Sequence, residues 1–370
     1  MSDLTLDVSD LPMQPSDPRL LPAANPMATL WVASCNLLNL ALPGRRFYPN
    51  QEPYGNDDYG RKVDWLGGQL ARLNADIAGF QEVWDEAALR AVVARSGLRY
   101  AQVLAPGTEQ GAEGTPRLGL ATRLAVEAVA SVADFAPHER VLVPELGEQV
   151  RFERPVLQAT LRTRQGRKLQ VLVAHLKSKR PKFLQDANGQ PLEDRDDPVV
   201  GVRAALRSLI MRGAEAAALR GLVLRLVHHT RDPLILLGDL NDGPQSVTSQ
   251  MIAATDAVAY DRQARDVALF HAYEVQTERA LKRDLVYSHV HQGMPDILDQ
   301  IWVSEEFVPG GRFAIGDVRR VEYFNDHLNE GRDRSRSDHG FVRALLRLQL
   351  PPADAPVLPA VAPASQGVVP

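Results

Sequence analysis

The chain has 370 residues, 45% of them hydrophobic and 24% charged, with 42 Lys and Arg against 46 Asp and Glu for a formal net charge of −4. Such values belong to an ordinary soluble globular protein; they exclude a global basic field for nucleic acid, so any attraction for phosphate must be local or supplied by a cation. The single cysteine, Cys35, excludes an intramolecular disulfide framework and a thiolate zinc cluster, and no run nears the roughly 18 apolar residues of a membrane span. No secretory signal is visible, and a cytoplasmic location is the expectation.

Residues 1–27 read as a disordered leader, with Asp, Pro and Ser spread among isolated leucines. A strand follows over Leu30–Cys35, ended by Asn36, with Cys35 as a buried structural thiol. Leu37–Asp58 reads as a long polar and aromatic loop. Tyr59–Leu73 has apolar residues at helical spacing (Val63, Leu66, Leu70, Leu73). Asp76–Glu82 is a second short strand that ends in an acid, and Asp85–Ser96 a helix with Gly97 just past its end. Tyr100–Leu104, Leu118–Thr122, Val126–Val132, Arg154–Thr163 and Lys168–Leu176 are strands rich in Val and Leu, separated by Gly, Pro and charge clusters.

A charged loop over Lys177–Pro198 opens with a basic run. Val199–His229 is a long helix. Leu234–Asp239 is a short apolar run into Gly238, then Asp239 and Asn241, then Gly243-Pro244, which is the pattern of a buried strand stopped by a turn. A short helix near Ser246–Ala254, a polar region to about Met294, a strand over Ile297–Val303, an Arg- and Asp-rich loop over Asn325–Ser337 and a last strand over Phe341–Leu350 complete the core. The tail over 351–370 is rich in Pro, Ala and Val and reads as unstructured. Several strands are apolar on both faces, and Tyr100–Leu176 offers no helix between strands. A doubly wound sheet is therefore disfavoured, and two packed mixed sheets flanked by helices, a four-layer α/β/β/α sandwich of α+β class spanning 28–350, satisfies the pattern.

Polar residues suited to chemistry fall repeatedly at strand ends: Asn36, Glu82, His175, Asp239 with Asn241, Asp299, and Asp338 with His339. If those ends share one edge of the sandwich, the residues converge on one cleft. Each also has a plain reading. Asn36 suits a cap, Glu82 a solvated acid, His175 a core histidine, Asp239 and Asn241 an Asx-turn, and Asp338-His339 a turn pair. Asp299 is harder to dismiss, because a carboxylate amid apolar residues needs a partner. The run Lys177-Ser178-Lys179-Arg180 can hold a polyanion locally or simply be a solvated face. Arg203 and Arg207 are read first as salt-bridged. The aromatic residues Phe47, Tyr48, Tyr54 and Tyr59 either stack on bases or pack within their loop.

The ordered segments Ala33-Ser34-Cys35-Asn36, Gly79-Phe80-Gln81-Glu82-Val83, Ala174-His175-Leu176, Gly238-Asp239-Leu240-Asn241, Leu298-Asp299-Gln300-Ile301 and Ser337-Asp338-His339 resemble the endonuclease/exonuclease/phosphatase superfamily. The resemblance implies a divalent-metal-dependent phosphodiester hydrolase, first a nuclease acting on nucleic acid, with a phosphatase or phosphodiesterase for a small molecule or lipid head group as the alternative. It implies Glu82 as main metal ligand, with Asn36 beside it and Asp338 as a further metal-side carboxylate. Asp239 would handle the attacking water, with Asn241 holding that nucleophile and a phosphate oxygen. His339, backed by Asp299, and His175 would contact the phosphate, and Lys177, Lys179 and Arg180 are candidate phosphate contacts. Hard oxygen ligands suit Mg²⁺ or Mn²⁺. Two departures stand out. Leu38 occupies the place of a second acid in repair-type members, and Leu298-Asp299-Gln300 lacks the Trp-Cys-Asp-Arg pattern of inositol 5-phosphatases.

Overall fold

The computed structural model describes residues 27–48, 51–107, 115–228, 230–255, 262–278, 285–331 and 333–349. The expected leader and tail lie outside these residues, except for Met27, which opens the first strand. In chain order the described elements are β1 (Met27–Leu40), α1 (Asn56–Leu73), β2 (Ile77–Val83), α2 (Glu86–Ser96), β3 (Gln102–Leu104), β4 (Arg117–Thr122), β5 (Ala125–Asp134), β6 (Val141–Val143), β7 (Gly147–Gln149), β8 (Arg151–Arg162) and β9 (Lys168–His175). They continue with α3 (Pro198–Val227), β10 (Leu234–Asp239), α4 (Val247–Ala253), β11 (Leu269–His271), α5 (Ala272–Val275), β12 (His289–His291), β13 (Met294–Asp296), β14 (Asp299–Ser304), β15 (Gly316–Phe324) and β16 (Phe341–Gln349).

Two six-stranded sheets carry the fold. One runs β15-β16-β1-β2-β4-β3 and the other β11-β14-β10-β9-β8-β5. Alternation along each strand divides the apolar residues between two layers. In β10, Ile235 and Leu237 join Val171 and Val173 of β9 and Ile301 and Val303 of β14 in the core between the sheets, where Val32 and Ile77 meet them from the first sheet. Leu234 and Leu236 face the other way, onto Leu219, Leu222 and Val223 of α3. Likewise Ala33, Cys35, Ala78 and Phe80 face outward onto Leu66 and Leu70 of α1 and Leu89 and Val92 of α2. The result is the expected four-layer sandwich, with burial on both faces explaining why β9 and β10 are continuous apolar runs. Cys35 is a buried thiol on the α1 side, and burial pushes its pKa up.

Three sequence expectations are revised. β1 continues through Asn36 to Leu40, so the loop before α1 is shorter than Leu37–Asp58. The polar region before Met294 holds β11, α5 and β12, elements of only three or four residues. β15 went unread because its apolar alternation is interrupted by Arg319-Arg320 and Glu322. Of the charges on β15, Glu322 pairs with Arg343 and Asp317 with Arg347 across to β16, while Arg319 pairs with Glu278 and Arg320 with Glu322; a charged strand suits an edge that must resist adding a further strand.

Candidate active site

The same parity that builds the core delivers the polar residues. In the second sheet the inward positions run Ile235, Leu237, Asp239 on β10, Val171, Val173, His175 on β9, and Val303, Ile301, Asp299 on the antiparallel β14. Register aligns Asp239 with His175 on one side and with Asp299 on the other. In the first sheet Val32, Ser34 and Asn36 share the inward face of β1. The four residues therefore reach the same end of the gap between the sheets.

Glu82 arrives differently. Ile77, Gly79 and Gln81 point inward on β2, so strict alternation would send Glu82 to the helix side. Its φ of +60° breaks the alternation, and the pairing of β2 with β4 slips between Phe80 and Val83. The left-handed backbone is uncommon and costly for a residue with a Cβ, and strain of this kind gathers at functional sites. It places Glu82 Oε1 3.5 Å from Asn36 Nδ2, while Oε2 accepts the Asn39 N–H at 2.9 Å.

Asp239 is the hub. Its Oδ2 accepts from Asn36 Nδ2 at 3.0 Å and lies 3.3 Å from His175 Nε2 and 3.8 Å from His339 Nε2. Its Oδ1 accepts the Asn241 N–H at 2.9 Å, in a turn where Asn241 has φ +55°. The Asn241 side chain donates Nδ2 to the Leu176 carbonyl at 2.9 Å, which leaves its Oδ1 as an acceptor at the site. His339 turns its Nδ1 to Asp299 Oδ2 at 2.7 Å. Ser337 Oγ donates to the Asn36 carbonyl at 2.7 Å and accepts the His339 N–H at 3.0 Å, clamping the turn before β16 to β1.

Burial dominates the electrostatics. It pushes the Asp239 carboxyl well above the usual range, with Asp299 adding to the rise. Burial opposes charge on His339, but Asp299 and Asp239 outweigh it and hold the imidazole well above its ordinary value. His175 goes the other way, lowered by burial and by Arg154 nearby. The site thus holds one imidazole biased to be charged and one biased to be neutral around an acid poised to exchange a proton.

Asp239, Asp299 and His339 offer ligand atoms within 4.8 Å of one another, close enough for the three to share a metal ion. Two of these atoms are already bonded together in the His339–Asp299 pair. The remaining oxygen donors near Asp239 are those of Glu82, with an unpartnered Asp299 Oδ1 behind them; Asn36 turns its Nδ2 to both Glu82 and Asp239 while its Oδ1 accepts the Leu38 N–H at 3.1 Å, so its oxygen would face a cation only after the amide flips. Hard oxygen donors with no thiolate among them fit a hard divalent cation. Asp338 is exposed, and its charge acts on His339 and on Lys62.

The basic run is split by the fold. The Lys177 ammonium turns back to the carbonyls of Ser178 and Arg180, Lys179 pairs with Asp242 and Asp296, and Arg180 is exposed. Arg203 and Arg207 are salt-bridged, both to Glu145 and Arg207 also to Glu193. Of the loop aromatics, Phe47 stacks on Tyr54 at 5.5 Å and packs on Trp84, so these rings are spent in packing.

Three contributors escaped the sequence reading. Lys62 is fully buried on α1 and donates to the carbonyls of Arg334 and Arg336, just ahead of Asp338. Burial pulls its pKa down to about 7 against the pull of Glu82 and Asp338. Arg154 donates to the Leu176 carbonyl beside His175. His289 of β12 packs its ring 4.9 Å from that of His339. A lysine among helical apolar positions and an arginine at a strand start carry no distinguishing pattern. The His289-Val290-His291 alternation was the one available signal.

The model described as the endonuclease/exonuclease/phosphatase family matches residues 59–339. Among solved structures, a family protein of that description from Bacteroides thetaiotaomicron aligns with 16% identity over 88% of this chain and 98% of its own, with a TM-score of 0.53. The human nocturnin catalytic domain aligns with 15% identity over 87% of this chain and 97% of its own at 0.51. A mannosyl-6-phosphatase from Bacteroides thetaiotaomicron aligns with 17% identity over 86% and 99%, also at 0.51. These likenesses show a shared fold. No curated protein matches the sequence.

Proposed function

This chain belongs to the endonuclease/exonuclease/phosphatase family and is a phosphoester hydrolase; from that premise we propose that it cleaves a phosphodiester, first of all in nucleic acid, by in-line attack of water with Mg²⁺ or Mn²⁺. The observation that carries the reading is the convergence of Asn36, His175 and His339 on one oxygen of Asp239. Asp239, with its raised pKa, accepts the proton of the attacking water. Asn241 Oδ1 accepts the other hydrogen of that water and fixes its direction. His339, kept charged by Asp299, donates Nε2–H to a nonbridging phosphate oxygen. His175, neutral, donates to a second. Glu82, Asn36 and Asp338 would hold the cation, which supplies neutralisation of the phosphate and of the leaving oxygen when bound.

His339→Ala and Asp239→Asn should each lower turnover on the order of 10²–10⁴-fold. A loss of less than about tenfold in both would sink the mechanism. A panel of DNA, RNA and a generic phosphodiester, run with EDTA and then with metal restored, tests the substrate class. If the generic ester is cut and neither nucleic acid is, the nuclease reading fails. The packed state of Phe47 and Tyr54 removes two rings that could have stacked on bases, and it is the observation that favours the second reading, a small-molecule or lipid head-group phosphoester.

A further inference from the structure

The hairpin of β12 and β13 stands at the rim of the cleft and has no part in the mechanism above. Its turn, Gln292-Gly293, has positive φ at both residues, +50° and +80°, which is the tight two-residue connection that matches strand twist. The hairpin is tied to the catalytic turn, since Gly340 N–H donates to the Ser288 carbonyl at 2.6 Å and Ser288 N–H to the Asp296 carbonyl at 2.9 Å. Lys179 adds an ion pair to Asp296.

His289 and His291 are two apart on β12, so both project from one face of the ribbon. Their rings are stacked, with centroids 6.4 Å apart and planes 16° from parallel. His289 also lies against His339, so this face looks into the cleft. Met294 pairs with His291 across the ribbon, which puts its thioether on the same face, 71% exposed. Neither the His289 nor the His291 imidazole makes a hydrogen bond or ion pair among the described residues. Two uncommitted imidazoles on a rigid two-residue repeat, with a thioether opposite, are a poor set for Mg²⁺. They are a good one for a late first-row ion, which favours nitrogen and sulfur donors.

We propose that His289 and His291, with Met294 as a third donor, bind a late first-row transition-metal ion such as Cu²⁺, Ni²⁺ or Zn²⁺, and that this ion closes the adjoining cleft. The ion sits one ring away from His339, adds positive charge beside that imidazole, and occupies the approach used by the substrate. The site is separate from the oxygen-rich centre around Glu82. Inhibition therefore follows the order Cu²⁺ before Ni²⁺ and Zn²⁺, with Mn²⁺ far behind.

The binding arm of the test does not depend on the proposed reaction, whereas the inhibition arm rests on it. Ni²⁺ is titrated into metal-free full-length protein, and paramagnetic broadening of the imidazole resonances is followed for the nine histidines. His289 and His291 should broaden first, and His291→Ala should weaken binding on the order of 10–100-fold. Hydrolysis of a generic phosphodiester in Mg²⁺ is then titrated with Ni²⁺, and the inhibition constant should move with the binding constant in His291→Ala. Equal Ni²⁺ affinity in wild type and His291→Ala overturns the site, as does broadening confined to other histidines. Binding at His289 and His291 without inhibition overturns the closure. Failure to find any hydrolysed phosphodiester would count against the proposed function and leave the binding result to decide this inference.

Discussion

Asp299 is fully buried, with Oδ2 2.7 Å from His339 Nδ1 and Oδ1 without a partner. A carboxylate in that position holds the ring in one tautomer and favours its charged form. Activity that needs charged His339 is retained below the pKa of the ring and lost as pH rises through it. Asp299→Asn removes the attraction while keeping a similar shape, so the alkaline limb of the pH–rate profile should move down toward ordinary imidazole values, with lower turnover on the plateau. An unmoved alkaline limb would show that His339 is not the group titrating there. At this scale the sequence made candidates of Asp239, Asp299 and His339 through their shared order at strand ends, since Asp239 and His339 each had a plain turn reading and only Asp299, an acid amid apolar residues, needed a partner on its own. It hid the left-handed turn at Glu82. Nothing in Gly79-Phe80-Gln81-Glu82 marks a break in alternation, and read by parity alone Glu82 would face the wrong layer. Its place at a strand end put it among the candidates, and the resemblance gave it the role of a metal ligand.

At the scale of elements, one buried acid of α3 ties that helix to the strands that carry the proposed site. Glu215 accepts the Glu153 N–H on one oxygen at 2.7 Å and the Lys177 N–H on the other at 2.6 Å, so it fixes β8 and the residues following His175. Burial pushes its pKa up to about 7. An acid whose folded pKa is raised binds extra protons in the native state, so its contribution is best below the unfolded value and is lost as pH rises toward 7. At about 1.4 kcal/mol per pKa unit the loss amounts to a few kcal/mol. Glu215→Gln cannot titrate and keeps one acceptor. It should be destabilised most near pH 5 and progressively less toward pH 8 when melting temperatures are compared with wild type. A constant difference across that range would contradict the assignment. Gly238 sets a second limit, because a Cβ there would lie 2.3 Å from the Ala174 carbonyl oxygen of the neighbouring strand. Gly238→Ala should therefore separate β9 from β10 and yield little folded protein, measured as soluble yield and circular dichroism. Long elements such as α1, α3, β9 and β10 were legible from periodicity because they bury whole faces. The three-residue strands were not, since a period needs repeats to be seen.

Across the whole molecule, the proposed catalytic groups divide between the two sheets. Asn36 and Glu82 belong to the first and His339 to the turn entering it, while His175, Asp239 and Asp299 belong to the second. Their distances are set by the gap between the layers. Gly79 stands just behind Glu82, where a Cβ would come 3.0 Å from Val173 and 3.2 Å from Leu237 of the opposite sheet. Gly79→Val should pry the layers apart and lower turnover by at least tenfold, an effect of roughly 1.4 kcal/mol on the barrier, with a smaller change in binding of the substrate. Unchanged kinetics would mean that the gap has slack. The sandwich as a whole could be inferred from strands apolar on both faces, but the pairing order could not, because it depends on contacts between residues far apart in sequence, as in the pairing of β1 with β16.

One pairing in that order has a separate consequence. β1 and β16 lie side by side and antiparallel, so that Met27 and Gln349 are directly opposed. Both lie at the pole away from Asn36, as does the exposed Arg164-Gln165 turn between β8 and β9. The core is therefore nearly a closed loop in connectivity. A short linker from Gln349 to Met27, with new termini opened at Gly166, should give a circular permutant that folds and keeps its hydrolytic activity, because neither the join nor the cut disturbs a strand that carries the chemistry.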